Sequence, residues 1–351
     1  MVYPPLTRCR AFDTIPQPWM AEYYGQRASA GTLLIAEATI VDQDGQGFPH
    51  TPGIFSSEQT EAWKPVVKAV RDKGAVFFCQ LWHVGRASHN AYQKDGKPPV
   101  SSSEVKIASE KWKTCIMPDG SLSEYPVPAA LDKQGIKDKV QAYRKAARNA
   151  IDAGFNGIEL HGAHGYLIDQ FTKDSVNKRT DEYGGSIENR CRFALEVVTA
   201  VAEEIGAERV GIRLSPFSTF NDATDTTPYS TIIYLVEQLN ARFPNMAYLH
   251  MVEPRVDGVE SKEPGDKSLT PFRKIWKGPM ISAGGHTKET GAAAVAKGDA
   301  DLVAYGRIWI ANPDLPLRFQ KGADLNPYDR NTFYSQGKEG YLDYPFLEEA
   351  K

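Results

Sequence analysis

Eight short apolar runs, each followed by a longer amphipathic or turn-rich stretch, set the rhythm of the chain. The runs lie at residues 1–6, 32–39, 75–82, 157–161, 210–215, 248–251, 279–283 and 302–305, and most are rich in β-branched or aromatic residues. Short continuous apolar runs, without polar alternation, are what strands buried on both faces require. Between them, residues 59–72 carry Trp63, Val66, Val67 and Val70 at helical spacing, and residues 132–153 carry Val140, Tyr143, Ala147, Ala150 and Ile151 likewise. Residues 187–205, 229–243, 288–296 and 313–320 continue the alternation, with Gly74, Gly154 and Gly298 where helices should end. Alternating strand and helix predicts a parallel sheet, and eight repeats predict a closed (β/α)8 TIM barrel in place of a doubly wound sheet. A barrel of 351 residues is one domain, residues 1–351.

Two stretches break the rhythm. Residues 85–131 are too long for an ordinary strand-to-helix loop, and they contain Pro98-Pro99, Ser101-Ser102-Ser103 and a turn signal at Pro118-Asp119-Gly120. The expectation is a hairpin insertion after strand three that lies as a lid over the barrel mouth. Residues 180–186 form a second long loop, ordered by Asp181 and ending in Ser186 as the cap of the next helix.

Composition narrows the class without naming a chemistry. A net charge of −3, with Lys and Arg scattered among acids, gives no electrostatic case for nucleic acid. Cys9, Cys79, Cys115 and Cys191 are far apart and match no zinc or CxxC spacing, so a reducing compartment is expected. With no apolar stretch of ~20 residues and no signal-peptide pattern, the expectation is a cytoplasmic protein without membrane contact.

A barrel builds its site from the C-terminal ends of its strands, so those positions should carry useful side chains. Strand four runs into His161, His164 and Tyr166: two imidazoles that can donate to a carbonyl oxygen and a phenol that can supply a proton. Two histidines three residues apart could also be metal ligands, with Glu159 or Asp169 as candidate partners; this is the lesser reading, and no metal is expected. Gly284 and Gly285 after strand seven, and Gly306 and Arg307 after strand eight, fit a phosphate site. Arg213 near the end of strand five is costly there unless it meets an anion, the plain alternative being a salt bridge to a neighbouring carboxylate. Gln80 could read the amide edge of a heterocycle, or simply bond to backbone. A flavin mononucleotide, FMN, combines such an edge with a reducible ring and a phosphate.

The motifs PPLTRCRA at 4–11, FFCQLWHVGR at 77–86, GIELHGAHGYLIDQF at 157–171, RTDEYGGSIENR at 179–190, GIRLSP at 211–216, SAGG at 282–285 and AYGR at 304–307 resemble the Old Yellow Enzyme family of ene-reductases. The likeness spans essentially the whole chain and is nearest to the plant 12-oxophytodienoate reductases. It implies non-covalent FMN, with Pro5, Leu6, Thr7, Ala38 and Gln80 around the ring, Arg213 on its pyrimidine side, and Gly284, Gly285, Gly306 and Arg307 on the phosphate. His161 and His164 match the pair that binds the enone carbonyl beside the flavin, and Tyr166 matches the proton donor. Trp82, Phe48, Phe220 and Tyr334 match positions that line the substrate.

The reaction so implied is NADPH-driven reduction of the C=C bond of an α,β-unsaturated carbonyl compound, 12-oxophytodienoate or a related oxylipin. Alternatives are a flavin-dependent isomerase or reductase of a specialised biosynthetic pathway, and a catalytically weak quinone- or enone-binding barrel. The resemblance also implies a segment ahead of strand one that closes the barrel floor, whereas this chain begins inside that strand; the expectation is a barrel lacking it. Phe220 stands where the jasmonate-pathway subgroup carries a polar residue, so the enone stays open. A monomer or weak homodimer is expected.

Overall fold

Val2 pairs with Ala304 on one side and with Leu33 on the other, so the first strand joins the last and the sheet closes. This computed structural model describes residues 1–257, 260–261 and 265–347. Eight parallel strands form the barrel: β1 (Val2–Tyr3), β2 (Leu33–Ile40), β3 (Val76–Trp82), β4 (Gly157–Gly162), β5 (Val210–Leu214), β6 (Tyr248–Val252), β7 (Met280–Ala283) and β8 (Leu302–Ala304). All eight predicted runs are therefore strands. The first is shorter than expected, because Pro4 and Pro5 have no amide hydrogen to continue the ladder.

The outer layer is helical: α1 (Pro18–Arg27), α2 (Ser57–Arg71), α3 (Lys133–Asp152), α4 (Leu167–Thr172), α5 (Ile187–Ile205), α6 (Pro228–Arg242), α7 (Thr270–Ile275), α8 (Lys288–Ala296), α9 (Arg307–Ala311) and α10 (Leu315–Lys321). Helix α2 buries the predicted stripe of Trp63, Val66, Val67 and Val70, and Ser56 caps it by accepting from the Gln59 amide at 3.2 Å. Full burial of side chains of that size stabilises by roughly 1.5–3 kcal/mol each. Helices α1, α4, α7 and α9 have no counterpart in the sequence pattern. In α1 the buried positions include the adjacent pair Tyr23 and Tyr24, which a one-face template does not fit.

The barrel interior has two characters. Toward the N-terminal ends of the strands, Val2, Ile35, Phe78, Tyr248 and Ile281 form an apolar cluster. Gly211 makes room for this packing: a Cβ there would lie 2.3 Å from the Tyr248 ring. Above the cluster the interior turns polar, with Gln80, Glu159, Arg213 and His250 on neighbouring strands.

Within residues 85–131, Thr114–Ile116 and Leu122–Glu124 form an antiparallel hairpin about the predicted turn, where the Gly120 amide donates to Met117 O at 2.9 Å. The base of the segment is pinned to α4, as Ser101 Oγ donates to Gln170 Oε1 at 3.0 Å and Ser102 Oγ to Gln170 O at 2.7 Å. Asp181 orders the second long loop by accepting from Arg179 and the Tyr183 amide, and Ser186 caps α5 through the Asn189 amide at 3.3 Å.

Candidate active site

A cavity of about 380 Å³ opens at the C-terminal ends of the strands. It gathers Pro5, Leu6 and Thr7 after β1, Ala38 from β2, Gln80 and Trp82 from β3, and His161, His164 and Tyr166 from β4 and the turn after it. Arg213 of β5, Phe220, Gly284, Gly285, Gly306, Arg307 and Tyr334 also line it, as do Tyr328 and Phe333, which the sequence reading did not single out. Of the substrate-side positions only Phe48 stands back from the wall; its ring packs on Trp82 at 5.9 Å between centroids, so it supports the lining without belonging to it.

One wall is suited to a carbonyl. His161 Nδ1 accepts from the Ala163 amide at 3.3 Å, which leaves the ring proton on Nε2 as a donor. Burial, reinforced by His164 and Arg213, holds the His161 imidazole well below its ordinary pKa, so it is neutral. The His161 and His164 rings lie 5.8 Å apart, and the Tyr166 ring stands edge-on to His161 at 4.9 Å and to Trp82 at 5.0 Å. Burial pushes the Tyr166 phenol well above its ordinary range and keeps its proton in place. His164 adopts a left-handed backbone (φ 56°), tied by its amide to Ser215 Oγ at 2.8 Å and by its carbonyl to Asn221 Nδ2 at 3.1 Å. Both tethers escaped the sequence reading, since the side chains of Ser215 and Asn221 bond to backbone atoms of His164, which no residue pattern announces.

A second wall suits an anionic, planar group. Arg213 Nε is buried without a hydrogen-bond partner among the described residues, and none of the salt bridges among them involves Arg213. Gln80 bonds to a side chain, with Nε2 donating to Glu159 Oε1 at 2.8 Å. Glu159 Oε2 in turn meets His250 Nδ1 at 2.7 Å. Glu159 and Asp169, weighed above as metal ligands, are engaged otherwise: Asp169 Oδ2 accepts the Gly165 amide at 2.9 Å.

The far end of the cavity is glycine-rich. Gly284 and Gly285 take φ values of 140° and 64°, where a side chain would be strained, so backbone amides can approach a ligand closely. His286 lines this end, and here Arg255 Nη2 donates to its Nδ1 at 2.9 Å while its Nε2 meets Ser282 Oγ at 2.9 Å. Ser282 Oγ then donates to Glu253 Oε1 at 2.6 Å. Because arginine only donates, every bond in that chain has one direction. A buried guanidinium with an unbonded Nε at one end and a glycine cradle with Arg307 at the other fit a ring that gains negative charge and carries a phosphate.

The sequence profile of the NADH:flavin oxidoreductase / NADH oxidase family matches residues 1–326. The chain belongs to this family. Its members bind FMN. Among curated family relatives, 12-oxophytodienoate reductase 1 of Oryza sativa subsp. japonica is 54% identical over 350 residues, covering 99% of this chain and 90% of that protein. Among solved structures, morphinone reductase in complex with tetrahydroNAD superposes with a TM-score of 0.91 at 44% identity, covering 99% of this chain and 93% of that one. The Old Yellow Enzyme homologue from Zymomonas mobilis gives 0.93 at 42% identity, covering 99% and 95%. Membership in this flavin oxidoreductase family fits the (β/α)8 barrel.

Proposed function

We propose that this protein is an FMN-dependent NADPH:enone oxidoreductase that reduces the C=C bond of α,β-unsaturated carbonyl compounds, 12-oxophytodienoate or related oxylipins among them. The observation that carries this reading is that two histidines and a phenol share one cavity with a buried arginine whose Nε is unbonded and a glycine cradle. Pro5, Leu6, Thr7, Ala38 and Gln80 would hold the flavin ring, Arg213 its anionic form, and Gly284, Gly285, Gly306 and Arg307 its phosphate. FMN, when bound, supplies a two-electron carrier between the nicotinamide donor and the enone.

The chain's own residues do the rest. His161, donating from Nε2, and His164 orient the substrate carbonyl and stabilise charge that develops on its oxygen. Tyr166 gives its proton to the α carbon as hydride arrives at the β carbon, leaving a saturated carbonyl product. Trp82, Phe220 and Tyr334, with Phe48 behind Trp82, exclude water from that step. The presence of Tyr166 disfavours a flavin-dependent isomerase, which needs no such donor. The 85–131 segment serves as a lid, and the enzyme works in the cytoplasm as a monomer or weak homodimer. Among the described residues no helix is long and apolar enough to cross a membrane.

The test is anaerobic reduction of the purified holoprotein with NADPH and, in parallel, NADH, followed by a panel of enones. Bleaching of the flavin absorbance by NADPH, and its return on adding cyclohexenone or an oxylipin enone, is the expected result. A protein that takes up no FMN would overturn the reading.

A further inference from the structure

Glu159 sits in the middle of β4, two residues before His161 and so on the same interior face, yet it does not line the cavity. It is fully buried, as is His250. A buried carboxylate is costly unless its lone pairs are engaged, and here they are: Gln80 Nε2 at 2.8 Å on Oε1 and His250 Nδ1 at 2.7 Å on Oε2. A carboxylate only accepts, so it dictates how the Gln80 amide lies. The NH2 group must face Glu159, which leaves the Gln80 carbonyl as the acceptor available to the cavity. The cavity is thereby given an acceptor from Gln80 and a cationic donor from Arg213, the pair that an N–H beside a carbonyl of a cyclic imide would engage.

The second consequence is electrostatic. Arg213 lies between His161 and His250 in the strand register, one strand away from Glu159, and forms no ion pair with it within 4.0 Å. At that separation a carboxylate offsets the field of the guanidinium without quenching it. We propose that Glu159 is a positioning residue that fixes the Gln80 amide in one orientation and, through its charge, moderates the pull of Arg213 on a bound flavin. The opposing influence of Glu159 on Arg213, whose pKa burial pushes down, agrees with this arrangement. The inference rests on the FMN reading above.

Two quantities separate it from a merely structural role: the FMN dissociation constant, and the midpoint potential of the bound flavin. Glu159→Gln keeps the shape but removes the charge and frees the Gln80 amide to invert. It should weaken FMN binding threefold or more, and raise the ratio of affinities for reduced over oxidised FMN about tenfold, an upward shift of about 30 mV for a two-electron couple. In a Gln80→Leu background the same substitution should leave the dissociation constant unchanged while still raising the potential. Glu159→Asp keeps the charge and loses the reach, so binding should weaken at an unchanged potential; this variant carries the affinity arm alone should the glutamine variant not fold, as judged by thermal melting. An unchanged or lowered potential in Glu159→Gln overturns the electrostatic role, and equal weakening of binding with and without Gln80 overturns the orienting one. If the wild-type protein takes up no FMN, it is the parent reading that fails.

Discussion

Ser215 Oγ accepts the His164 amide at 2.8 Å, and this bond from the end of β5 helps hold His164 in its left-handed conformation at the end of β4. One such bond contributes about 1 kcal/mol. Ser215→Ala should therefore weaken binding of an enone or a competing phenol roughly fivefold, with the NADPH half-reaction unchanged. Titration against the absorbance of the bound flavin checks this, and unaltered ligand affinity would count against the tether.

Tyr166→Phe removes only the phenolic proton. The oxidative half-reaction should slow by about 10²–10⁴-fold, while flavin reduction by NADPH stays within a factor of about two. Stopped-flow measurement of the two halves separates them; equal losses in both would exclude Tyr166 as the proton donor.

Gly211→Ala would place a methyl group 2.3 Å from the Tyr248 ring inside a closed barrel. Overpacking of this kind costs about 1–3 kcal/mol. Urea unfolding followed by circular dichroism should show the midpoint falling, and the double variant Gly211→Ala with Tyr248→Leu should recover part of the loss.

Glu37 is buried between the Arg8 amide (3.2 Å) and the Tyr24 hydroxyl (3.2 Å), and burial pushes its carboxyl pKa up to about 7. Between about 4.5 and 7 the folded state holds a proton that the unfolded state has lost. Its contribution to stability is therefore complete below about 4.5 and lost as pH rises through about 7. Glu37→Gln cannot ionise, so thermal melts of wild type and variant across pH 5–8 should show the variant gaining on the wild type as pH increases. Parallel curves would exclude this titration.

The barrel was legible because each strand is a short, mostly apolar run, and because Tyr166, His161, His164 and Arg213 sit at strand ends where a barrel exposes them. The layer beneath was not. Glu159 reads as one letter of the apolar run GIELH, and His250 as one letter of YLHMV; only the closed sheet makes them neighbours of Gln80. A usable signal was present, since a charged residue inside a strand buried on both faces demands a partner. The same holds for Arg8 and Arg10. They follow β1, yet they donate to carbonyls of Phe333, Gly340, Gly337 and Thr332, a segment more than 300 residues distant with no strand or α-helix to announce it. Phe48 packs on Trp82 behind the residues that line the cavity, a distinction that sequence position alone does not carry.

The pairing of Val2 with Ala304 also bears on how the molecule comes into being. During synthesis the first strand emerges with Leu33 of β2 soon available, but its other edge stays bare until the eighth strand has left the ribosome. Loop-closure entropy makes so distant a pairing slow, and an open parallel edge is a template for wrong partners. Ring closure must therefore wait until β8 has been made, and that edge of β1 has no barrel partner for most of the chain's synthesis.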